Sequence, residues 1–90
     1  MRYLLIYDIS HDGTRSKIAD VCLDYGLERI QYSAFVGELN RIHQRELWIK
    51  IEQRLAKHAG NIQLYPLDEK SWSTVKRIVQ QEEPQEQSNV

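Results

Sequence analysis

Cysteine occurs once in these 90 residues, at Cys22, so no internal disulfide can form and no cysteine-rich metal cage can be built. That usage suits a reducing compartment. No apolar run approaches the ~18 residues of a membrane-crossing helix. The opening residues also lack the basic-then-apolar order of a secretory signal. A cytoplasmic location with no membrane contact is therefore expected. Glycine is sparse, with four residues and no cluster that could cradle phosphates. There is no HxxxH pair and no Ser/His/Asp arrangement, and His11, His43 and His58 are too scattered for metal-site spacing. Charge of one sign is missing as well, since the formal net charge is −1. The balance is uneven, however. Residues 80–90, QQEEPQEQSNV, hold three acids and no Lys or Arg, which leaves twelve bases against ten acids in the remainder. So mild a bias does not argue for nucleic acid by itself.

What is present is a single small domain, expected over residues 1–79, followed by an acidic tail over 80–90 with too few apolar groups to remain ordered. Apolar residues at 41% and charged residues at 28% are those of an ordinary globular chain. At this length the core is thin, and a second copy would bury further apolar surface.

RYLLIYDI, residues 2–9, reads as a central strand apolar on both sides, with Leu4 and Ile6 on one and Tyr3, Leu5 and Tyr7 on the other. Ile18, Val21, Cys22 and Tyr25 then recur at helical spacing, with Asp12 or Thr14 as the start cap and Gly26 after the end. Cys22 falls on the buried stripe of that helix and reads as a core thiol. LERIQYSAFVGEL predicts two antiparallel strands, 27–31 and 34–39, joined by a tight turn. Asn40 caps a second helix over 41–58, closed by Gly60, whose main apolar face is Leu47, Trp48, Ile51 and Leu55. A thinner stripe of Ile42, Ile49 and Ala56 lies almost opposite, and is either chance exposure or a partner-contact strip. NIQLYPL, 61–67, alternates as another strand. SWSTVKRIV, 71–79, reads as a further short strand, with a C-terminal helix as the alternative.

The order β-α-β-β-α-β with an extra C-terminal strand is the α+β, ferredoxin-like arrangement, in which both helices cover one sheet face. The other face then needs an apolar cover. A second copy related by a two-fold axis is the simplest candidate.

Fold alone does not give function, because ferredoxin-like domains serve enzymes, RNA binders and metal carriers. Tyr3, Leu5 and Tyr7 imitate the base-stacking strand of an RNA-recognition module, but YSAFVGEL does not match that module's third strand. Asp8 has two readings. An acid ending an apolar strand is expected to be partly desolvated, and it either accepts hydrogen bonds from the Ser10–Gly13 turn or ligates a hard divalent cation. One carboxylate is a poor cage, whereas a two-fold axis near the strand end would supply a second. Arg15, Lys17 and Arg29 follow closely, and a helix start favours phosphate. An acid, a helix start and nearby basic groups together resemble a phosphodiester site.

YDIS at Tyr7–Ser10, YG at Tyr25–Gly26, RIQYSAFVGEL at Arg29–Leu39 and YPL at Tyr65–Leu67 resemble, in order and spacing, the small CRISPR-associated endoribonuclease family Cas2. The resemblance covers residues 1–79. It implies a ferredoxin-like homodimer in which a C-terminal strand, here 71–79, completes the partner's sheet, although that segment is the least family-like before the tail. It implies a role in spacer acquisition as the dimeric bridge that binds prespacer DNA with the integrase protein. It also implies endonuclease activity on single-stranded RNA or double-stranded DNA with Mg²⁺ as cofactor. Asp8 matches the family's catalytic, metal-binding aspartate, flanked by Tyr7 and Ser10. Arg15, Lys17 and Arg29 match its nucleic-acid-binding positions, with Lys17 in place of the commoner arginine, and Ser33 and Phe35 match positions that line the site. Two alternatives stand beside this reading: a non-catalytic DNA-binding scaffold, and a toxin ribonuclease of the virulence-associated D type.

Overall fold

The structure is a computed structural model that describes residues 1–82. β1 (Arg2–Asp8), α1 (Asp12–Asp24), β2 (Glu28–Gln31), β3 (Ala34–Glu38), α2 (Arg41–Leu55) and β4 (Asn61–Leu67) follow in the expected order, and one helical turn, α3 (Glu69–Trp72), comes after them. The four strands form one sheet in the order β2-β3-β1-β4, with every pairing antiparallel. This is the ferredoxin-like sandwich. Its most apolar strand is central because β1 has a neighbour on each side, and burial on both faces is what an unbroken apolar run permits.

Register divides the side chains between the two faces. Leu5 pairs with Phe35 and Leu64, and Tyr7 pairs with Ile62, on the face covered by the helices. Leu4 pairs with Val36 and Tyr65, and Ile6 with Ala34 and Gln63, on the opposite face. Phe35, Leu5, Ile18, Leu47, Ile51 and Cys22 are the largest fully buried side chains. Each contributes roughly 1.5–3 kcal/mol by leaving water. The expected stripes of both helices supply this core, with Trp48 and Leu55 half-buried at its margin. Burial pushes the Cys22 thiol up to about 12, as befits a core residue.

The helix ends differ from expectation. α1 is capped by His11, whose Nδ1 accepts from the Thr14 amide at 3.1 Å, and not by Asp12 or Thr14. Imidazole nitrogen here does the work usually given to a side-chain oxygen. Gly26 does follow the helix end, at φ +78°. α2 stops at Leu55 and not near residue 58, because Ala56 turns the chain at φ 51° and ψ −120°. Gly60 has a different duty from the expected cap: a Cβ there would come within 3.0 Å of Ile9 Cγ1 and 3.1 Å of Leu55 Cδ1. It lets the loop before β4 press against the end of β1.

Residues 71–79 do not form a strand. Asp68 caps the turn α3 by accepting from the Ser71 amide at 2.6 Å, and Thr74 and Val75 continue hydrogen-bonded turns onto Ser71 and Trp72. Local capping by Asp68 draws the first of these residues into hydrogen-bonded turns. Beyond α3 the chain runs beside the uncovered sheet face, where Val75–Val79 line a groove of about 590 Å³ with Leu4, Ile30, Leu67 and Trp72. The Trp72 ring lies 5.0 Å from the Arg2 guanidinium and 5.5 Å from that of Arg77. Residues 80–82 are exposed without regular structure. The remainder of the expected acidic tail, 83–90, lies outside the described residues. No helix among the described residues is long and apolar enough to cross a membrane.

Candidate functional site

Asp8 is the last residue of β1, on the sheet face away from the helices. The expected desolvation is not found. Tyr7 and Ile9 on either side are buried, but the alternation of the strand turns Asp8 outward and its carboxylate is exposed. Its register partner across the β1–β4 ladder is Asn61. With Ile6, Tyr7 and Gln63, the two residues line a recess of about 170 Å³. Along β4 a polar ladder leads into that recess. Tyr65 Oη donates to Gln63 Oε1, and Gln63 Nε2 donates to Asn61 Oδ1 at 2.9 Å.

The donor set suits a hard cation only in part. No group of three His, Cys, Asp or Glu side chains is gathered among the described residues. One chain offers one accessible carboxylate, which can hold a cation that keeps most of its water.

The basic residues gather on the other side of the sheet end, around Tyr32 in the β2–β3 turn. Arg15 donates from Nη1 to the Ile9 carbonyl at 2.9 Å and to the Ser10 carbonyl at 3.5 Å, and from Nη2 to the Asp12 carboxylate. The bond to Asp12, and then that to Tyr32, holds the Arg15 guanidinium above its ordinary pKa. Its guanidinium carbon lies 5.6 Å from the Tyr32 ring centroid, and that of Arg29 lies 5.7 Å from the same ring. Arg15, Ser16, Asp20, Arg29 and Tyr32 help to line a shallow cavity of about 220 Å³. Lys17 is exposed in the first turns of α1. Tyr32 itself was not foreseen, although an aromatic in a hairpin turn flanked by polar residues was a visible signal.

The remaining expected residues hold this corner together. The Tyr7 amide donates to the Ser33 carbonyl at 3.0 Å, and Tyr7 Oη to the Tyr32 carbonyl at 3.5 Å, so the β2–β3 turn is tied to β1 just before Asp8. Ser10 is exposed. Phe35 is fully buried, so it underlies the site and cannot line it; its ring carries the Arg29 guanidinium at 4.9 Å. On the opposite flank the rings of His11 and His58 stack with centroids 4.2 Å apart, joining the loops that follow β1 and precede β4.

The family described as CRISPR associated protein Cas2 matches residues 1–75. The chain belongs to the Cas2 family. The Chloroflexus aurantiacus protein named CRISPR-associated endoribonuclease Cas2 2 is 52% identical over 82 residues, which are 91% of this chain and 95% of that protein. A chain of a partial Cas6-RT-Cas1–Cas2 complex superposes with a TM-score of 0.73 at 30% identity, covering 86% of this chain and 83% of that one. The crystal structure of Streptococcus pyogenes Cas2 gives a TM-score of 0.76, covers 88% of this chain and all of that one, and at 21% identity shows the shared fold. Membership in Cas2 sets aside the toxin-ribonuclease alternative.

Proposed function

We propose that two copies of this chain associate through the uncovered sheet face and act in CRISPR spacer acquisition as a nucleic-acid-binding subunit beside the integrase Cas1. Phosphodiester cleavage with Mg²⁺ is proposed at the paired Asp8 residues. The observation that carries this reading is the outward, exposed Asp8 at the rim of an apolar sheet face. Its support in the comparisons is the chain that superposes from a Cas6-RT-Cas1–Cas2 complex.

Half-buried Leu4 and Ile6 share with Asp8 the sheet face away from the helices, so a two-fold axis over that face would bring two carboxylates towards each other. Two such acids repel unless a cation sits between them. When bound, a divalent cation supplies Lewis-acid chemistry by acidifying a coordinated water and offsetting charge that builds at phosphorus. Asp8 would hold that cation. Exposed Lys17 would contact phosphate of DNA or RNA, with the Arg29 guanidinium beside Tyr32 as a second positive group.

A specific observation favours a scaffold without cleavage as the second reading. The recess around Asp8 contains Ile6, Tyr7, Asn61 and Gln63, with no histidine, lysine or second acid to move a proton. Asp8→Ala separates the two readings. For a nuclease, the variant loses Mg²⁺-dependent cleavage of labelled RNA and DNA while its dimerisation and nucleic-acid affinity survive. Cleavage at the wild-type rate by Asp8→Ala would overturn the catalytic assignment. A wild-type protein that cleaves neither substrate, with Asp8→Ala still supporting spacer integration, establishes the scaffold.

A further inference from the structure

β4 alternates between the two faces of the sheet. Ile62 and Leu64 pack against the core, while Asn61, Gln63 and Tyr65 occupy the outer face in a row that ends beside Asp8. The row is bonded in one direction. The Tyr65 hydroxyl gives its proton to Gln63 Oε1, which leaves the Gln63 amide nitrogen to donate to Asn61 Oδ1. A carboxamide has one acceptor and one donor end. With its oxygen engaged by Gln63, Asn61 has its NH₂ group left to offer. Asn61 pairs with Asp8 in register and shares its recess, yet no hydrogen bond joins the two side chains among the described residues. The recess therefore has an acidic side and a donor side.

We infer that Asn61 is a ligand-binding residue of the Asp8 recess, donating from its amide nitrogen to a non-bridging phosphate oxygen, and that Gln63 and Tyr65 are positioning residues which fix that orientation. The inference rests on the reading of Asp8 as a nucleic-acid site and adds to it the residue that receives the phosphate. An amide nitrogen cannot ligate a cation, so the two members of the pair have different duties: Asp8 takes the positive partner and Asn61 the negative one. Both charges of a cation–phosphate pair can then be met within one recess. Because Asn61 is neutral, its bond adds affinity without releasing a counter-ion, which distinguishes it from Lys17.

The test is equilibrium binding of a fluorescein-labelled DNA duplex and of a labelled single-stranded RNA of the same sequence. Binding is measured in calcium at several potassium chloride concentrations, using the full chain and its Asn61→Ala, Asn61→Leu, Tyr65→Phe and Asn61→Ala/Tyr65→Phe variants. Asn61→Leu keeps the branched shape, and thermal unfolding confirms that each variant is folded. Both Asn61 variants are expected to weaken binding about three- to tenfold, the size of one net hydrogen bond, with an unchanged salt slope. Tyr65→Phe is expected to weaken it less, and the double variant no more than Asn61→Ala alone, because Tyr65 acts through Asn61. Wild-type affinity in both Asn61 variants would overturn the inference and leave the wider reading standing. Additive losses in the double variant would overturn the relay by showing that Tyr65 meets the ligand itself. Failure of the wild-type chain to bind either nucleic acid would remove the wider reading and this inference with it.

Discussion

Arg15 and Arg29 approach one aromatic ring, with guanidinium carbons 5.6 and 5.7 Å from the centroid of Tyr32. Two like charges tolerate this arrangement because each meets the ring's negative face and Arg15 is also paired with the Asp12 carboxylate. Arg15 is therefore engaged before any ligand arrives: it bonds the carbonyls of Ile9 and Ser10 and closes the loop that leaves Asp8.

Arg15→Lys is accordingly expected to lower the thermal midpoint by a few degrees, since an ammonium cannot reproduce the planar fork that reaches Asp12 and Ile9 together. Differential scanning fluorimetry checks this, and an unchanged midpoint would show that the loop closes without the fork.

Lys17 is exposed and carries its charge outward. Lys17→Ala should weaken binding of a DNA duplex and reduce the slope of log affinity against log salt by about one unit. A slope equal to that of the wild type would move the phosphate path elsewhere on the surface, with Arg41, Arg45 and Lys50 of α2 as the next positions to test.

Ala56 holds a left-handed conformation that suits glycine. Ala56→Gly relieves that strain, with part of the gain offset by the added freedom of the unfolded chain, leaving roughly 1 kcal/mol of stabilisation. In a domain of this size the midpoint should rise by about 4–8 °C. A lower midpoint would mean that the turn is held without strain.

The Cys22 thiol, raised from 9.0 to about 12 by burial, should not react with an aromatic disulfide reagent at pH 8 until the chain is unfolded in guanidinium. The same shift fixes the sign of its pH effect. Below about pH 9 the thiol is protonated in both states and stability is intact, whereas between 9 and 12 the unfolded chain releases the proton first and stability falls. Rapid labelling of the native protein at pH 8 would falsify the buried assignment.

The order of the four strands and two long helices was legible because each element carries its own period. Ile18, Val21 and Cys22 could lie only on a helix face, and the unbroken run of β1 only at the centre of a sheet. Within one chain 71–79 is no strand: Asp68 caps a helical turn over its first residues, the alternative reading, while the edge expected for the strand belongs to a second copy. Asp8 was found from its place at a strand end, yet its exposure was not, because the neighbours in sequence, Tyr7 and Ile9, point to the other face. Phe35 was expected to line the site because its segment, YSAF, matches site-lining positions of the family. One step of alternation puts Phe35 under the sheet, where it can only support Arg29. Asn61 was passed over for the opposite reason, since its importance comes from a neighbour 53 positions away that only the β1–β4 register reveals.

Gly60 gives that register a mechanical meaning. With no side chain there, the backbone ahead of Asn61 lies against Ile9 and near the Asp8 carbonyl, and the stacked imidazoles brace the same two loops from outside. The carboxylate and the amide thus ride on one rigid jaw. The spacing of their Cα positions is a gauge set by the main chain, one that would outlast the replacement of either side chain.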